Sequence, residues 1–149
     1  MKIDDVSLTL FKWDEIPATK YHAGSGNSSG ETTLGLLTIR TDEGIEGHAF
    51  LGSATFSAEV DCRGLTRTLK PILMGQDPLD RERLYQAMWK RNRTTTIRSI
   101  GAVDIALYDI AAKAASLPLY KLLGGYRESI PAYASSAVLP SRQAYAEQA

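Results

Sequence analysis

Between Ser99 and Gly125 the chain reads SIGAVDIALYDIAAKAASLPLYKLLGG, and apolar positions recur there with helical spacing. Ile100, Val103, Leu107, Ile110, Ala111 and Ala114 fall on one side. The opposite side carries Ala102, Ile105, Ala106, Ala112 and Ala115, so only Asp104, Asp109 and Lys113 interrupt an apolar surface. A helix that is apolar nearly all round belongs between two layers of protein. The pattern therefore predicts a long helix packed on both flanks, with Ser99 as N-cap, a break at Pro118 and a stop at Gly124-Gly125.

Upstream the period is two. Val6, Leu8 and Leu10 alternate with Ser7 and Thr9, which predicts a half-buried strand. Thr32–Thr41 and Ile45–Leu51 read as two further strands joined across Asp42-Glu43-Gly44, a short hairpin turn. The intervening Asp14–Glu31 is too long and polar for an ordinary connection and reads as a long loop whose Gly/Ser/Asn half is mobile. From Ser57 the period becomes helical, with Cys62, Leu65, Leu69, Ile72 and Leu73 on one face, a disturbance at Pro71 and a stop at Gly75. Asp77-Pro78 reads as N-cap and first residue of a helix whose face holds Leu84 and Met88. Ser129–Ser136 reads as a short strand, and Ser141 as the N-cap of a helix still running when the sequence stops at Ala149.

Composition adds exclusions. Lys+Arg and Asp+Glu are equal at 17 each, so no basic footprint for nucleic acid or an anionic membrane is visible. No apolar run approaches the roughly 18 residues needed to span a bilayer, and the acidic N-terminus is unlike a signal peptide. The single Cys62 makes no internal disulfide and reads as a small core residue, so the expected location is cytoplasmic.

The order of three strands, three helices and a βα start carries a set of specific residues: Ala102, Asp104, Ala106-Leu107, Tyr108-Asp109, Lys113-Ala114, Pro118-Leu119 and Leu122–Gly125. With Asp42–Gly52 and Gly75–Tyr85, these resemble the mandelate racemase/muconate lactonizing enzyme branch of the enolase superfamily. The resemblance implies an α+β fold. A three-stranded antiparallel sheet followed by a three-helix bundle forms an enolase-like capping domain over residues 1–128. Residues 129–149 then supply the first strand and helix start of a truncated (β/α) barrel. It also implies a Mg²⁺-dependent enzyme that abstracts the proton α to a carboxylate, an acid-sugar dehydratase or a related racemase or cycloisomerase. The base and the metal ligands of the family lie on barrel strands beyond Ala149, so the 149-residue segment is expected to bind no Mg²⁺ itself and to be inactive alone.

What the resemblance carries onto this chain is the substrate-facing part of the cap. Lys20, Tyr21 and His22 stand in the first specificity loop, Phe50 and Leu51 in the second, and Ser135 at the end of the first barrel strand. The expected substrate is a small carboxylate, hydroxylated because the first loop offers a cation and hydrogen-bond donors, and the expected assembly is a homo-oligomer. A rival reading is a non-catalytic, stand-alone capping module that acts by self-association or through a partner protein. His48 lacks partners at metal-ligand spacing and reads as a packing residue. Asp104 and Asp109 read as structural acids, with Arg91, Arg93 and Arg98 as candidate partners. Gly24–Gly30 lacks the Lys-Ser/Thr ending of a phosphate loop.

Overall fold

The computed structural model describes residues 1–19, 28–133 and 135–148. Strands β1 (Ile3–Thr19), β2 (Ser28–Thr41) and β3 (Glu46–Leu51) form one antiparallel sheet in the order β1-β2-β3. Pairing of Val6 with Ile39, Leu37 with Ala49 and Gly35 with Leu51 sends one alternating set of side chains toward the helices. Val6, Leu37, Ile39, Ala49 and Leu51 are all buried there. The other set, which includes Phe11, Trp13 and Phe50, faces outward and is exposed.

The first hairpin is longer than its sequence suggests. β1 continues past Asp14, with register shifts, through pairs Ile16 with Gly30 and Thr19 with Ser28. Buried Ile16 anchors this extension, which the polar composition of Asp14–Glu31 conceals. Both ends of the expected loop are thus strand.

Residues 59–73 form one helical run: α1 (Glu59–Arg63), a π-helical stretch (Gly64–Leu69) and α2 (Lys70–Leu73). The widened stretch lies directly before Pro71, which has no N–H to give to the preceding turn and whose ring crowds that turn's carbonyl. Leu65, Leu69 and Leu73 still reach the core, while Cys62 is half-buried. Helix α3 (Arg81–Trp89) starts later than Asp77-Pro78 suggests. The Asp77 carboxylate instead accepts from the Leu79 N–H at 2.9 Å, a local turn that competes with helix entry.

Helix α4 (Ile97–Ala114) lies across β3 and β2, with α3 beside it. Its N-cap is Thr96, not Ser99: the Thr96 hydroxyl accepts from the Ser99 N–H at 3.0 Å. Contact with the sheet is close because Gly47 has no side chain; a Cβ there would lie 2.0 Å from the Ala106 carbonyl oxygen. The helix ends where Leu117 N–H reaches the Ala112 carbonyl at 3.0 Å and Ser116 takes a left-handed φ of 53°.

Asp104 and Asp109 are both half-buried, but their partners differ from those expected. Arg81 approaches Asp104 at 3.4 Å and lies 3.5 Å over the Tyr108 ring, which ties α3 to α4. Arg98 cannot serve Asp104, because residues six apart on a helix point about 120° apart. Asp109 accepts from the His48 backbone N–H at 3.0 Å and from Lys113 at 2.8 Å, while Lys113 also donates to the Glu46 carbonyl at 2.7 Å. The pair caps outward-facing groups of β3. His48 itself packs half-buried, its Nδ1 3.2 Å from the Thr38 hydroxyl.

Beyond α4 come the short α5 (Leu119–Leu122), which ends before Gly124-Gly125, and α6 (Arg142–Gln148). Ser141 caps α6, its hydroxyl accepting from the Ala144 N–H at 3.2 Å. Residues 129–133 and 135–136 form no strand here: a strand exists by pairing, and no described strand lies alongside them. No helix among the described residues is long and apolar enough to cross a membrane.

Candidate functional site

One end of the sheet holds an open cleft of about 490 Å³, lined by Leu10, Lys12, Glu31, Thr32, Thr33, Ser57 and Glu59. The far part of the β1–β2 hairpin forms one wall and the entry to α1 the other. Lys12 continues the inward alternation of Leu8 and Leu10, so a cation stands where the stripe would otherwise be apolar. Its ammonium lies 2.8 Å from Glu31 and 3.2 Å from Asp14. Those carboxylates, Glu31 foremost, hold the Lys12 pKa above the ordinary lysine value. Thr33 donates to Glu59 at 3.2 Å across the cleft floor.

On the opposite wall Ser57 and Glu59 stand at the end of the turn of residues 52–58, which is internally braced. Ser53 and Phe56 exchange backbone hydrogen bonds at 2.9 and 3.3 Å, and the Ser53 hydroxyl accepts from the N–H groups of Thr55 and Phe56. The Ala58 N–H donates to the Thr33 carbonyl at 2.7 Å, which fastens the turn to β2. Gly52 enters it at φ 89°, where a Cβ would sit 2.8 Å from the same carbonyl oxygen. Beneath the turn, the fully buried Asp61 carboxylate accepts from Arg98 at 2.7 Å, from Ser99 at 2.9 Å and from the Thr96 hydroxyl.

The residues singled out from the sequence separate in space. Lys20, Tyr21 and His22 lie outside the described residues. Phe50 is 73% exposed but on the outer sheet face, away from the cleft; Leu51, one residue on, faces inward and is 4% exposed in the core. Adjacent strand residues point to opposite faces, so the two cannot share one role. Ser135 is exposed in the irregular segment before α6. Sequence reasoning found the hairpin and missed Lys12, Glu59 and Asp61. For Lys12 the available signal was the lysine that interrupts the Val6-Leu8-Leu10 alternation. Asp61 gave none, because its partners are about 35 residues away in the chain. Among the described residues, no three His, Cys, Asp or Glu side chains are grouped to hold a metal ion.

Comparison with known proteins gives this geometry its setting. D-mannonate dehydratase of Novosphingobium aromaticivorans is 42% identical over 105 residues, spanning 65% of this chain and 25% of that enzyme. The crystal structure of D-glucarate dehydratase from Agrobacterium tumefaciens, complexed with magnesium, superposes with a TM-score of 0.69 at 31% identity, covering 86% of this chain and 34% of that one. An enolase superfamily member from Polaromonas sp. JS666 gives a TM-score of 0.80 at 27% identity, covering 99% of this chain and 40% of its own. The chain thus spans about a quarter of the length of the curated relatives it matches. Residues 9–124 match the N-terminal domain of mandelate racemase and muconate lactonizing enzyme. The sheet and helices described above have the architecture of that capping domain, and the chain belongs to the mandelate racemase/muconate lactonizing enzyme family.

Proposed function

We propose that this chain is the substrate-covering part of an enzyme that abstracts the proton α to a carboxylate and dehydrates a hydroxylated acid. The observation that carries the reading is the cleft between the β1–β2 hairpin and the 52–58 turn, on a fold whose relatives are named D-mannonate and D-glucarate dehydratases. Its lining supports the substrate class. Lys12, Glu31, Glu59 and two threonines offer donors and acceptors suited to several hydroxyl groups, Lys12 being already paired with Glu31 and Asp14.

In this reading Lys20, Tyr21 and His22 close over the substrate, Ser135 contacts it, and Phe50, on the outer sheet face, meets the surface that covers that face. Leu51 supports the turn from behind. Residues 1–128 act as the cap and 129–149 begin a barrel that supplies the base and binds Mg²⁺. The 149 residues alone are then inactive, and the enzyme works in the cytoplasm as a homo-oligomer. The roles of the cap are to orient substrate and exclude water from the reacting carbon.

The test is to incubate the protein together with the barrel proposed for it, with Mg²⁺, with a panel of acid sugars and follow the 2-keto-3-deoxy product. Turnover of at least one hexonate or hexarate is expected, with Lys20→Ala raising KM by roughly tenfold through loss of a charged hydrogen bond. No turnover on any hydroxylated acid would overturn the reading. A stand-alone module that self-associates is the second reading, favoured by the exposed Ile97, Ile105, Leu117 and Leu123. Concentration-dependent dimerisation of a catalytically silent intact protein would establish it.

A further inference from the structure

The geometry points to Arg98, clamped by buried Asp61, as the positioning residue that holds the 52–58 turn in place as a wall of the cleft. This rests on the proposed role of that cleft only for its effect on substrate; the mechanical part stands on geometry alone.

The turn is stiff within itself, so its placement depends on its attachments. One is the Ala58–Thr33 backbone bond to β2. The second comes from Arg98, in the first turn of α4. Its Nη2 lies 2.7 Å from Asp61 and 3.5 Å from the Ser57 carbonyl, and its guanidinium lies 5.4 Å from the centre of the Phe56 ring. Ser57 lines the cleft, and its hydroxyl accepts from the Glu59 N–H at 3.2 Å, so the Arg98 attachment also sets where α1 begins. Arg98 alone is a long side chain with several rotamers. What fixes it is Asp61, which is 0% exposed and is itself held by the Thr96 and Ser99 hydroxyls of the α4 cap. The carboxylate thus joins the start of α4 to α1, and the guanidinium carries that placement to Ser57 and Phe56. A planar fork can serve a carboxylate, a carbonyl and a ring together, whereas a lysine ammonium is a point charge that can satisfy Asp61 but has no plane to lay against Phe56.

The experiment uses the intact protein and two variants. Arg98→Lys keeps the buried charge paired. The double variant Asp61→Asn/Arg98→Met removes both charges together, so that neither is left buried without a partner if the lysine variant folds poorly. The readout is chymotrypsin cleavage after Phe56, identified by the mass of the fragment, beside the thermal midpoint of the whole protein. Cleavage there should rise roughly tenfold, the cost of one charged contact to local opening, while the midpoint stays within a few degrees. Unchanged cleavage at Phe56 in a folded variant overturns the assignment, whatever happens to activity. KM for the acid substrate should rise with kcat retained, and Arg98→Lys should retain more affinity than the double variant. Faster cleavage with an unaltered KM would uphold the positioning role and overturn the cleft as the substrate's site.

Discussion

The stretch up to Ala112 and the stretch from Ala115 onward use similar residues to opposite effect. In the first, Leu37, Ile39, Leu65, Leu69, Leu84, Met88, Val103, Leu107 and Ile110 are all inaccessible to solvent or nearly so. In the second, Leu117, Leu119, Leu122, Leu123, Tyr126, Ile130 and Tyr133 are exposed, and α5 and α6 contain no buried residue. Both stretches have helices with caps and stops, although Thr96 and not Ser99 caps α4 and α3 starts later than Asp77-Pro78 suggests. Capping and turn chemistry are local and operate wherever the chain has them, but burial needs a second surface. In the first stretch that surface is the sheet under α4.

The sharpest way to break this contrast is Gly47→Val. The added side chain would meet the Ala106 carbonyl and the Ile110 side chain and push α4 off β3. We expect a loss of about 3 kcal/mol or more, read as a collapse of the thermal midpoint. A paired truncation comes next. Leu107→Ala should cost ~3 kcal/mol in denaturant unfolding, while Leu123→Ala, 60% exposed, should change stability by less than ~0.5 kcal/mol. A cost at Leu123 comparable to that at Leu107 in the intact protein would mean that a further layer covers the tail there.

Smaller effects sharpen the boundary itself. Ser116→Gly relieves a left-handed residue at the end of α4 and should raise stability by about 1 kcal/mol, seen as a higher melting midpoint. At the other margin, Lys70 donates to Asp5 at 2.7 Å and to the Val6 carbonyl at 2.9 Å, joining α2 to β1. The hydrogen bond from Lys70 holds the Asp5 carboxyl below its ordinary value of 3.8. A depressed carboxyl contributes stability that is complete above its unfolded pKa and is lost as pH falls through the folded one. Lys70→Met should therefore cost roughly 0.5–1 kcal/mol at neutral pH, discounted because both side chains are about a third exposed. That gap should narrow below pH 3.8 in acid titrations followed by circular dichroism.

Much of this was legible beforehand, for identifiable reasons. The alternation around Val6 and the helical spacing from Ile100 to Ala114 are local patterns with one structural solution each. The helix surfaces also implied a second flank, and Ile97 and Ile105, 66% and 55% exposed, mark the flank that no described residue covers. Pairings between distant residues were not legible. Arg81 was not expected beside Asp104, nor Arg98 beside Asp61, because several arginines lie near in sequence and only the angle between helices chooses among them. The cleft was half visible: its hairpin announced itself by length and polarity, whereas Glu59 and Ser57 join it only through the placement of the 52–58 turn.

The Asp109–Lys113 pair has a consequence for how this sheet meets other polypeptides. It occupies the His48 N–H and the Glu46 carbonyl in the first half of β3, with the body of α4 behind it. A foreign strand arriving at that margin finds a carboxylate and an ammonium already seated where its own backbone would have to bond. On the opposite margin, Ile3 is taken by Gly75 and Gln76 and Val6 by Lys70, so growth of the sheet from outside is steered to β1 past Val6, toward the hairpin and its cleft.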